Sequence, residues 1–349
     1  MNFLITVVAT IIIFGIVIFI HEFGHFISAK ACGVKVNEFA LGMGPKILSF
    51  GKKETKYSLR LLPIGGYVQM EGEDSDSDDE RAFFKKAVWK RIIIVAAGAV
   101  MNLILGFIVV CIMTSVYSSA ISSTTVAEFN EGASTYATGL RVGDKIVKVN
   151  DRKINIDRDI ILELQYDEDL VVDMVVLRDG EKTTLNGVKF DYTDAYDEVS
   201  GQNYKNFVID FKVYGTNKTF ASVIRQSFYE SVAIAKTIWT SLKDLITHPQ
   251  LNKISGFVGV GEVIGQAAGL GFDYLLNILA FITINLGIFN LLPIPALDGG
   301  RLLFLVIEAI IRRPIPKKFE GVVHTIGFVI LIALMLVVTF KDIFMLFTR

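Results

Sequence analysis

The sequence predicts a polytopic α-helical membrane protein with four transmembrane helices, a membrane-associated β-hairpin or small sheet, and an extracytoplasmic PDZ-like β-rich domain. Three observations lead to this fold class. Apolar residues make up 52% of the 349 residues, and the mean hydropathy of +0.50 is high for a soluble protein. These apolar residues are gathered in blocks long enough to cross a bilayer. A polar region at 120–220, large enough to fold alone, separates the second block from the third.

Four apolar blocks are candidate transmembrane helices, because a bilayer needs roughly 20 apolar residues per helix. The predicted helices span residues 1–29, 92–116, 274–297 and 322–345. The first block has neither the basic flank nor the small-residue cleavage site of a signal peptide, so we expect it to remain as a helix. The protein is therefore expected to be a multi-pass protein of the cell membrane, in contact with lipid.

The distribution of basic residues predicts the orientation of these helices. Segments 30–91 and 298–321 are rich in lysine and arginine, and short loops with that excess stay in the cytosol. Both termini and the region 120–220 are then expected outside the cytosol. The net charge of −1 creates no general field that would attract nucleic acid, so no nucleic-acid partner is expected.

Region 221–272 is predicted to form amphipathic or interfacial helices rather than a further span. Residues 225–247 place apolar side chains at helical spacing, but Arg225, Glu230 and Lys236 interrupt them. Such a helix lies on the membrane surface or packs on the polar region. The glycine-rich stretch 256–271 is too interrupted for a regular span.

Segment 57–70 predicts a β-element within the cytosolic region 30–91. Residues with high strand propensity lie on either side of Pro63 and Gly65-Gly66, which favours a hairpin or a pair of short strands. The segment is apolar enough to enter the membrane interface. The acidic run 71–80 that follows is expected to be a flexible, solvated loop.

The polar region contains one recognisable pattern, at residues 138–151. Its sequence, TGLRVGDKIVKVND, predicts a turn, a strand and a second turn. This pattern resembles a PDZ domain, which we expect to cover about 122–190. PDZ domains bind extended peptides or chain ends by adding a strand to a sheet edge. A peptide partner and a role in excluding bulky proteins are both open for this domain.

The strongest chemical signal is His21-Glu22-Phe23-Gly24-His25, at the cytosolic end of the first predicted helix. Histidines four residues apart project from one helix face, so both imidazoles can bind one Zn²⁺. Glu22 lies beside them, where it can act as a general base. Ionisable groups inside an apolar helix are costly unless they are used, which favours a metal site over a structural role.

A catalytic zinc site needs a third protein ligand and one open position. The predicted topology places His248 outside the cytosol, and His324 has no companion motif. Asp298, in the run 290–300 (NLLPIPALDGG), lies at the cytosolic end of the third helix, on the same side as His25. If 225–247 were a span, Asp298 would lie on the opposite side of the membrane.

Together these motifs resemble the site-2 proteases, specifically the bacterial regulated intramembrane zinc metalloproteases that carry an extracytoplasmic PDZ domain. The resemblance extends nearly from end to end. The features that carry it are HEFGH at 21–25, PIGGYV at 63–68, the second helix with Gly98 and Asn102, the PDZ-like region, and the run at 290–300. It implies hydrolysis of peptide bonds in or near transmembrane segments of single-span membrane proteins, such as anti-sigma factors or remnant signal peptides.

The resemblance also implies a role for each site residue. Zinc would be held by His21, His25 and Asp298, with Glu22 as the general base. Asn290 would position the substrate or stabilise the oxyanion. The β-element would pair with an extended substrate through residues that include Gly65, Gly66 and Tyr67. Pro293 ends the third helix beside Asp298, and it either opens a path for water and substrate or only terminates the helix.

Three positions depart from the family pattern: Ala99, Phe257 and Arg301. None of them is a predicted ligand. Two other functions compete with a protease. A cation transporter would show inverted repeats and charges spread through the midplane, and a membrane-anchored PDZ scaffold would have no need of Glu22.

Overall fold

The computed structural model describes residues 3–51, 54–73, 76–165, 167, 169–197, 202–249 and 254–348. The chain forms two compact units, the first from Met1–Val109 with Ile254–Arg349 and the second from Val110–Lys253. The helices, in chain order, are α1 (Phe3–Ala31), α2 (Val88–Val116), α3 (Ser134–Ala137), α4 (Asp157–Leu164), α5 (Phe220–Thr247), α6 (Phe257–Leu270), α7 (Phe272–Phe289), α8 (Asp298–Ile311) and α9 (Lys317–Thr348). The strands are β1 (Val36–Phe50), β2 (Lys56–Met70), β3 (Ile121–Phe129), β4 (Lys145–Val149), β5 (Arg152–Lys153), β6 (Val171–Arg178), β7 (Glu181–Lys189), β8 (Asp191–Asp197), β9 (Gln202–Val208) and β10 (Phe211–Thr216).

Within the described residues, four helices are long and apolar enough to cross a membrane: Phe3–Ala31, Val88–Val116, Phe272–Phe289 and Lys317–Met345. The chain is therefore a multi-pass membrane protein with the predicted number of candidate spans. The amphipathic α5 is not among them.

The third span is shorter than predicted. The sequence predicts that it reaches residue 297, but α7 ends at Phe289 and residues 290–297 form turns and a loop. Proline has no backbone N–H to donate and disfavours the helical conformation in the residue before it, so Pro293 and Pro295 end the helix. This early end leaves a loop between α7 and α8.

The first unit contains a small sheet made by β1 and β2. Phe39, in the first half of β1, pairs with Val68 on one side and with Tyr57 on the other. The second half of β1 lies beside the first half of β2, with Phe50 opposite Tyr57. Both strands contain glycines with positive φ, and Gly65 (φ 75°) lies at the bend in β2.

For segment 57–70 the hairpin alternative is wrong, and the segment is instead part of a small sheet with β1. The two halves of β2 do not pair with each other, because the first half of β1 lies between them. The sequence pattern does not predict β1 as a strand. Its apolar residues Val36 and Phe39 are buried in one cluster with Ala29 of α1 and Ile94 of α2. Burial against the two helices therefore favours β1 at the centre of the sheet.

In the same unit, α6 has an acidic side chain at its start. Asp342 of α9 is 7% exposed, and its Oδ2 accepts hydrogen bonds from the backbone N–H groups of Gly256 (2.8 Å) and Gly259 (3.0 Å). These are donors that a helix N-terminus cannot satisfy within itself.

The second unit is built on a sheet with the strand order β10-β3-β4-β6-β7, in which β5 also pairs with β4. Residues 138–151 form a turn, β4 and a second turn. β10 pairs with β3, with Phe211 opposite Phe129, so the sheet extends beyond the predicted boundary at 190. Its core is an apolar cluster, with fully buried residues that include Leu140, Ile146, Met174 and Val188. The strands β8 and β9 form a separate two-stranded sheet.

Candidate metal centre and active site

Helix α1 brings two imidazoles to one point. His21 and His25 lie four residues apart, their side chains are 12% and 11% exposed, and their Nε2 atoms are 3.3 Å apart. Gly24, between them, faces α2. A Cβ atom there would overlap the backbone oxygen of Ala97 and lie 2.9 Å from Cγ of Met101, so glycine allows the close approach of the two helices.

Asp298 is the first residue of α8, and the loop before it is folded tightly against that helix. A Cβ atom at Gly300 would lie 2.6 Å from the oxygen of Ile294, and one at Gly299 would overlap the oxygen of Leu292. The two glycines therefore let loop 290–297 pack on the first turn of α8. Oδ2 of Asp298 consequently lies 3.1 Å from Nε2 of His21 and 3.2 Å from Nε2 of His25.

These three side chains form a group that fits a metal ion. One ligand atom from each lies within 4.8 Å of the other two. Oδ2 of Asp298 is buried and has no hydrogen bond among the described residues, although both imidazole nitrogens are close. The three atoms therefore converge on a common point. Zinc–ligand bonds of about 2.0–2.1 Å place tetrahedral ligands about 3.3 Å apart, which agrees with the observed spacing.

The two imidazoles also affect the charge of Asp298. Burial works against ionisation of Asp298, but the adjacent His21 and His25 hold the pKa of this carboxyl group well below its usual range. An ionised carboxylate and two imidazoles are the donor types that zinc takes in catalytic sites.

Helix α2 supports the two histidines from behind. Nδ1 of His25 donates a hydrogen bond to the backbone oxygen of Ile94 (2.9 Å). Nδ2 of Asn102 lies 3.3 Å from Nδ1 of His21. A Cβ atom at Gly98 would overlap Nε2 of His25 and lie 2.9 Å from Cε1 of His21. The absence of a side chain at Gly98 therefore provides the space in which the imidazoles meet.

Strand β2 passes directly beside Glu22. A Cβ atom at Gly66 would lie 2.8 Å from Cγ and 3.4 Å from Cδ of Glu22. Gly66 and Tyr67 line a cavity of about 180 Å³ together with both histidines, Glu22 and Asp298. Within the described residues, the half of β2 from Gly66 onward pairs with β1 on one edge only.

Some of the predicted site residues lie outside this cavity. Its lining includes His21, Glu22, His25, Gly66, Tyr67 and Asp298 but not Gly65, Asn290 or Pro293. Gly65 turns β2 against Met43, and Pro293 is exposed in loop 290–297. Asn290 is 7% exposed and lines a separate apolar groove of about 540 Å³. The walls of that groove come from α1, α6, α7, α9 and loop 290–297.

Two charged residues also line the cavity. Arg301 and Glu73 form an ion pair with each other. Nε of Arg301 also lies 3.5 Å from Oε1 of Glu320. The sequence alone places Arg301 in the basic segment 298–321 and Glu73 in the acidic run 71–80, with no pattern that predicts their pairing. It also gives no sign of the backbone oxygen of Ile94, because main-chain groups have no sequence signature.

Known proteins are similar to this chain over nearly its whole length. The sequence profile of Peptidase family M50 matches residues 9–334. A Clostridium acetobutylicum protein, provisionally named a zinc metalloprotease, is 38% identical over 352 residues, covering 97% of each chain. The "Regulator of sigma-W protease RasP" of Bacillus subtilis is 32% identical over 98% of this chain and 99% of its own. The "Zinc metalloprotease RasP" of Bacillus licheniformis is 33% identical, covering 98% of this chain and 99% of its own.

Proposed function

Because the chain belongs to peptidase family M50, the site-2 proteases, and is thus a zinc metalloprotease, we propose that it cleaves single-span membrane proteins in or near their transmembrane segments. One observation carries this proposal. The imidazoles of His21 and His25 meet a buried carboxylate oxygen of Asp298 beside Glu22. This oxygen has no hydrogen bond among the described residues. The two histidines and Glu22 belong to α1, which is long and apolar enough to span a membrane. Ionisable groups in such a helix indicate function.

In this proposal His21, His25 and Asp298 hold zinc and Glu22 is the general base. Bound zinc supplies Lewis-acid chemistry, since it acidifies water and polarises a peptide carbonyl. The carboxylate of Glu22 accepts a proton from the attacking water and then donates it to the leaving amine. The close contact between Glu22 and Gly66 supports this role, because it sets the base directly beside the strand that would hold the substrate.

The substrate would bind as an added strand. A transmembrane helix hides its carbonyl groups in its own hydrogen bonds, so it must unwind locally before cleavage. The edge of β2 at Gly65, Gly66 and Tyr67 would provide replacement partners. Asn290 would contact the approaching substrate helix from the apolar groove that it lines. Pro293 would contribute by ending α7, which leaves loop 290–297 beside Asp298.

The membrane topology is part of the same proposal. The basic segments favour a zinc site near the cytosolic side and a β-rich second unit outside the cytosol. We propose that this unit is a PDZ-like domain that takes a peptide or limits the size of substrates. α5 carries exposed Phe228 and Trp239, which supports contact with lipid at the membrane surface.

The proposed substrate class follows from the site and from one relative together. The Bacillus subtilis relative is named as a regulator of sigma-W. We therefore propose regulated intramembrane proteolysis, with membrane-anchored anti-sigma factors or remnant signal peptides as substrates. Both are single membrane helices, which can unwind without disrupting a packed bundle.

The test is cleavage in detergent by the full chain and by Glu22→Gln, with zinc content measured in both. Two tagged single-span substrates are used, one with a leucine-rich segment and one with glycine and proline in its segment. We expect wild type to cut the helix-weakened substrate faster. Glu22→Gln should lose at least about 100-fold in rate, because general acid–base catalysis contributes about 10²–10⁴-fold, and it should still bind zinc at the wild-type stoichiometry.

Glu262→Gln is the matched control, since it makes the same change in α6, outside the cavity lining. It should cut as wild type does. The proposal fails if Glu22→Gln retains the wild-type rate, if Glu262→Gln is equally inactive, or if the zinc-loaded wild type leaves both substrates intact.

A further inference from the structure

One face of α2 is aligned with the histidine pair of α1. Ile94, Gly98 and Asn102 are spaced four residues apart, so they lie along one stripe of the helix. The backbone oxygen of Ile94 accepts from His25, Gly98 leaves the space for both rings, and Asn102 lies next to His21. Each imidazole therefore has its Nδ1 atom against α2 and its Nε2 atom near Asp298.

Asn102 is unusual for a residue in a membrane helix. It is 0% exposed, within the apolar helix α2. Its Oδ1 is buried and has no hydrogen-bond partner in the part of the chain that the structure describes. Its Nδ2 faces Nδ1 of His21 at 3.3 Å. A buried polar atom without a partner costs stability, so packing alone does not explain this amide.

The chemistry of a metal-bound imidazole does explain it. When Nε2 binds a metal, Nδ1 must carry the ring proton, and that N–H needs an acceptor. For His25 the acceptor is the oxygen of Ile94, 2.9 Å away. For His21 the group within reach is the amide of Asn102. This amide presents an acceptor when it turns over to exchange Nδ2 and Oδ1, and the turn breaks no hydrogen bond of Oδ1 to the described residues.

We propose that Asn102 is a positioning residue for the zinc ligand His21, with Oδ1 accepting the hydrogen bond from Nδ1–H. It contacts neither zinc nor substrate. It fixes the orientation of the imidazole and the tautomer that leaves the Nε2 lone pair free. Two acceptors on α2, one from the main chain and one from a side chain, then serve the two histidines of α1. This inference rests on the proposed zinc site.

The experiment measures the zinc affinity of the full chain in detergent, by competition with a chelating dye, so it requires no substrate. Three variants are compared with wild type. Asn102→Leu removes the acceptor, and Asn102→Asp keeps an acceptor but removes the amide donor. Thr283→Val is the packing control, because the buried Thr283 hydroxyl donates to the backbone oxygen of Asn102 (3.1 Å) rather than to its side chain.

We expect Asn102→Leu to bind zinc about 10–100-fold more weakly, the range found when partners of metal-bound histidines are removed. Asn102→Asp and Thr283→Val should both stay within about threefold of wild type, since each retains an acceptor for His21. The inference is overturned if Asn102→Asp also binds zinc about 10–100-fold more weakly than wild type. The donor Nδ2 would then be the important group. The inference is also overturned if folded Asn102→Leu binds zinc normally, or if Thr283→Val loses as much as Asn102→Leu. Should Asn102→Leu fail to fold, Asn102→Asp still decides between acceptor and donor.

Failure of this inference is distinct from failure of the proposed function. Cleavage that survives Glu22→Gln would count against the protease site. Normal zinc binding by wild type with no effect of Asn102→Leu would count only against the role of Asn102.

Discussion

The two compact units differ in how their buried polar groups are hydrogen-bonded. Within the described residues, the buried side-chain atoms that lack a hydrogen bond all belong to the first unit, on Thr6, Thr10, Arg60, Asn102, Asn285, Asp298 and His324. The second unit also buries acids, but they are paired. Oδ2 of Asp210 accepts from the N–H of Thr135 (2.9 Å), and its Oδ1 accepts from the Thr135 hydroxyl (2.6 Å).

This difference separates acids that stabilise a fold from acids that serve chemistry. Asp144 is 0% exposed, but Arg178 and the backbone N–H of Arg141 each donate to it. Oδ2 of Asp298 has no such donor among the described residues and faces two imidazole nitrogens. An unsatisfied buried group costs stability, so one that lies at a candidate site points to a role in binding or catalysis. At Asn102 and Asp298, the unsatisfied atoms coincide with the proposed zinc site.

The largest expected effect comes from Asp298→Ala. Zinc binding should be lost, and cleavage should fall by at least about 10³-fold, because the Lewis-acid contribution disappears. In excess chelator it should also be less stable than wild type, because His21 and His25 stabilise the ionised carboxylate in the folded protein. Zinc content, cleavage rate and thermal unfolding with chelator check these three statements.

Asp342→Ala is the matched control, because Asp342 is a buried acid of the same unit that accepts two backbone hydrogen bonds. It should retain zinc but lose about 0.5–2 kcal/mol in the free energy of unfolding, the usual cost of removing a helix cap. Complete zinc loss in Asp342→Ala, or wild-type zinc content in Asp298→Ala, would contradict the distinction between the two acids.

The next effect concerns the second unit. Asp210→Ala leaves the N–H and hydroxyl of Thr135 without these partners in a buried position. We expect a loss of about 2–4 kcal/mol in the free energy of unfolding of this unit, with zinc binding unchanged. The loss can be measured from hydrogen exchange of the backbone amides of residues 121–165 at increasing denaturant concentration. Replacing the exposed Asp194 by alanine should change the free energy of unfolding little. Equal losses from Asp194→Ala and Asp210→Ala would contradict a special role for the paired, buried acid.

The three side chains that meet in the structure could be selected from the sequence by spacing, topology and the family resemblance, and their role as zinc ligands stays a prediction. Helical periodicity pairs His21 with His25, and the order of the spans puts Asp298 on their side of the membrane. The resemblance to the site-2 proteases adds Asp298 as the third ligand. The contacts around these side chains could not be predicted. The acceptor for His25 is the main-chain oxygen of Ile94, and the space for the rings comes from Gly98. Both depend on how closely α1 and α2 pack, which spacing along the chain does not encode.

The β-element shows the same limit in another form. Strand propensity predicts that 57–70 is extended, and Pro63 with Gly65-Gly66 indicates a bend. The partner strand β1 could not be predicted, because its pairing depends on burial of Val36 and Phe39 against the helices. The end of the third span at Phe289 could have been predicted more closely, since the prolines that follow it are visible in the sequence.

The most local expected effect is a pH dependence in the β1–β2 sheet, where Glu38 is a paired buried acid within the first unit. Burial raises the pKa of Glu38, but hydrogen bonds from Ser58, Lys46, Arg60 and Tyr67 outweigh it and lower the pKa from 4.5 to about 2. A lowered folded-state pKa contributes stability that is present above pH 4.5 and is lost as the pH falls toward 2, by at most about 3 kcal/mol. Glu38→Gln should therefore weaken hydrogen-exchange protection of β1 at pH 7, and its difference from wild type should shrink below pH 4.5. If that difference stays constant down to about pH 2, ionised Glu38 does not stabilise the β1–β2 sheet.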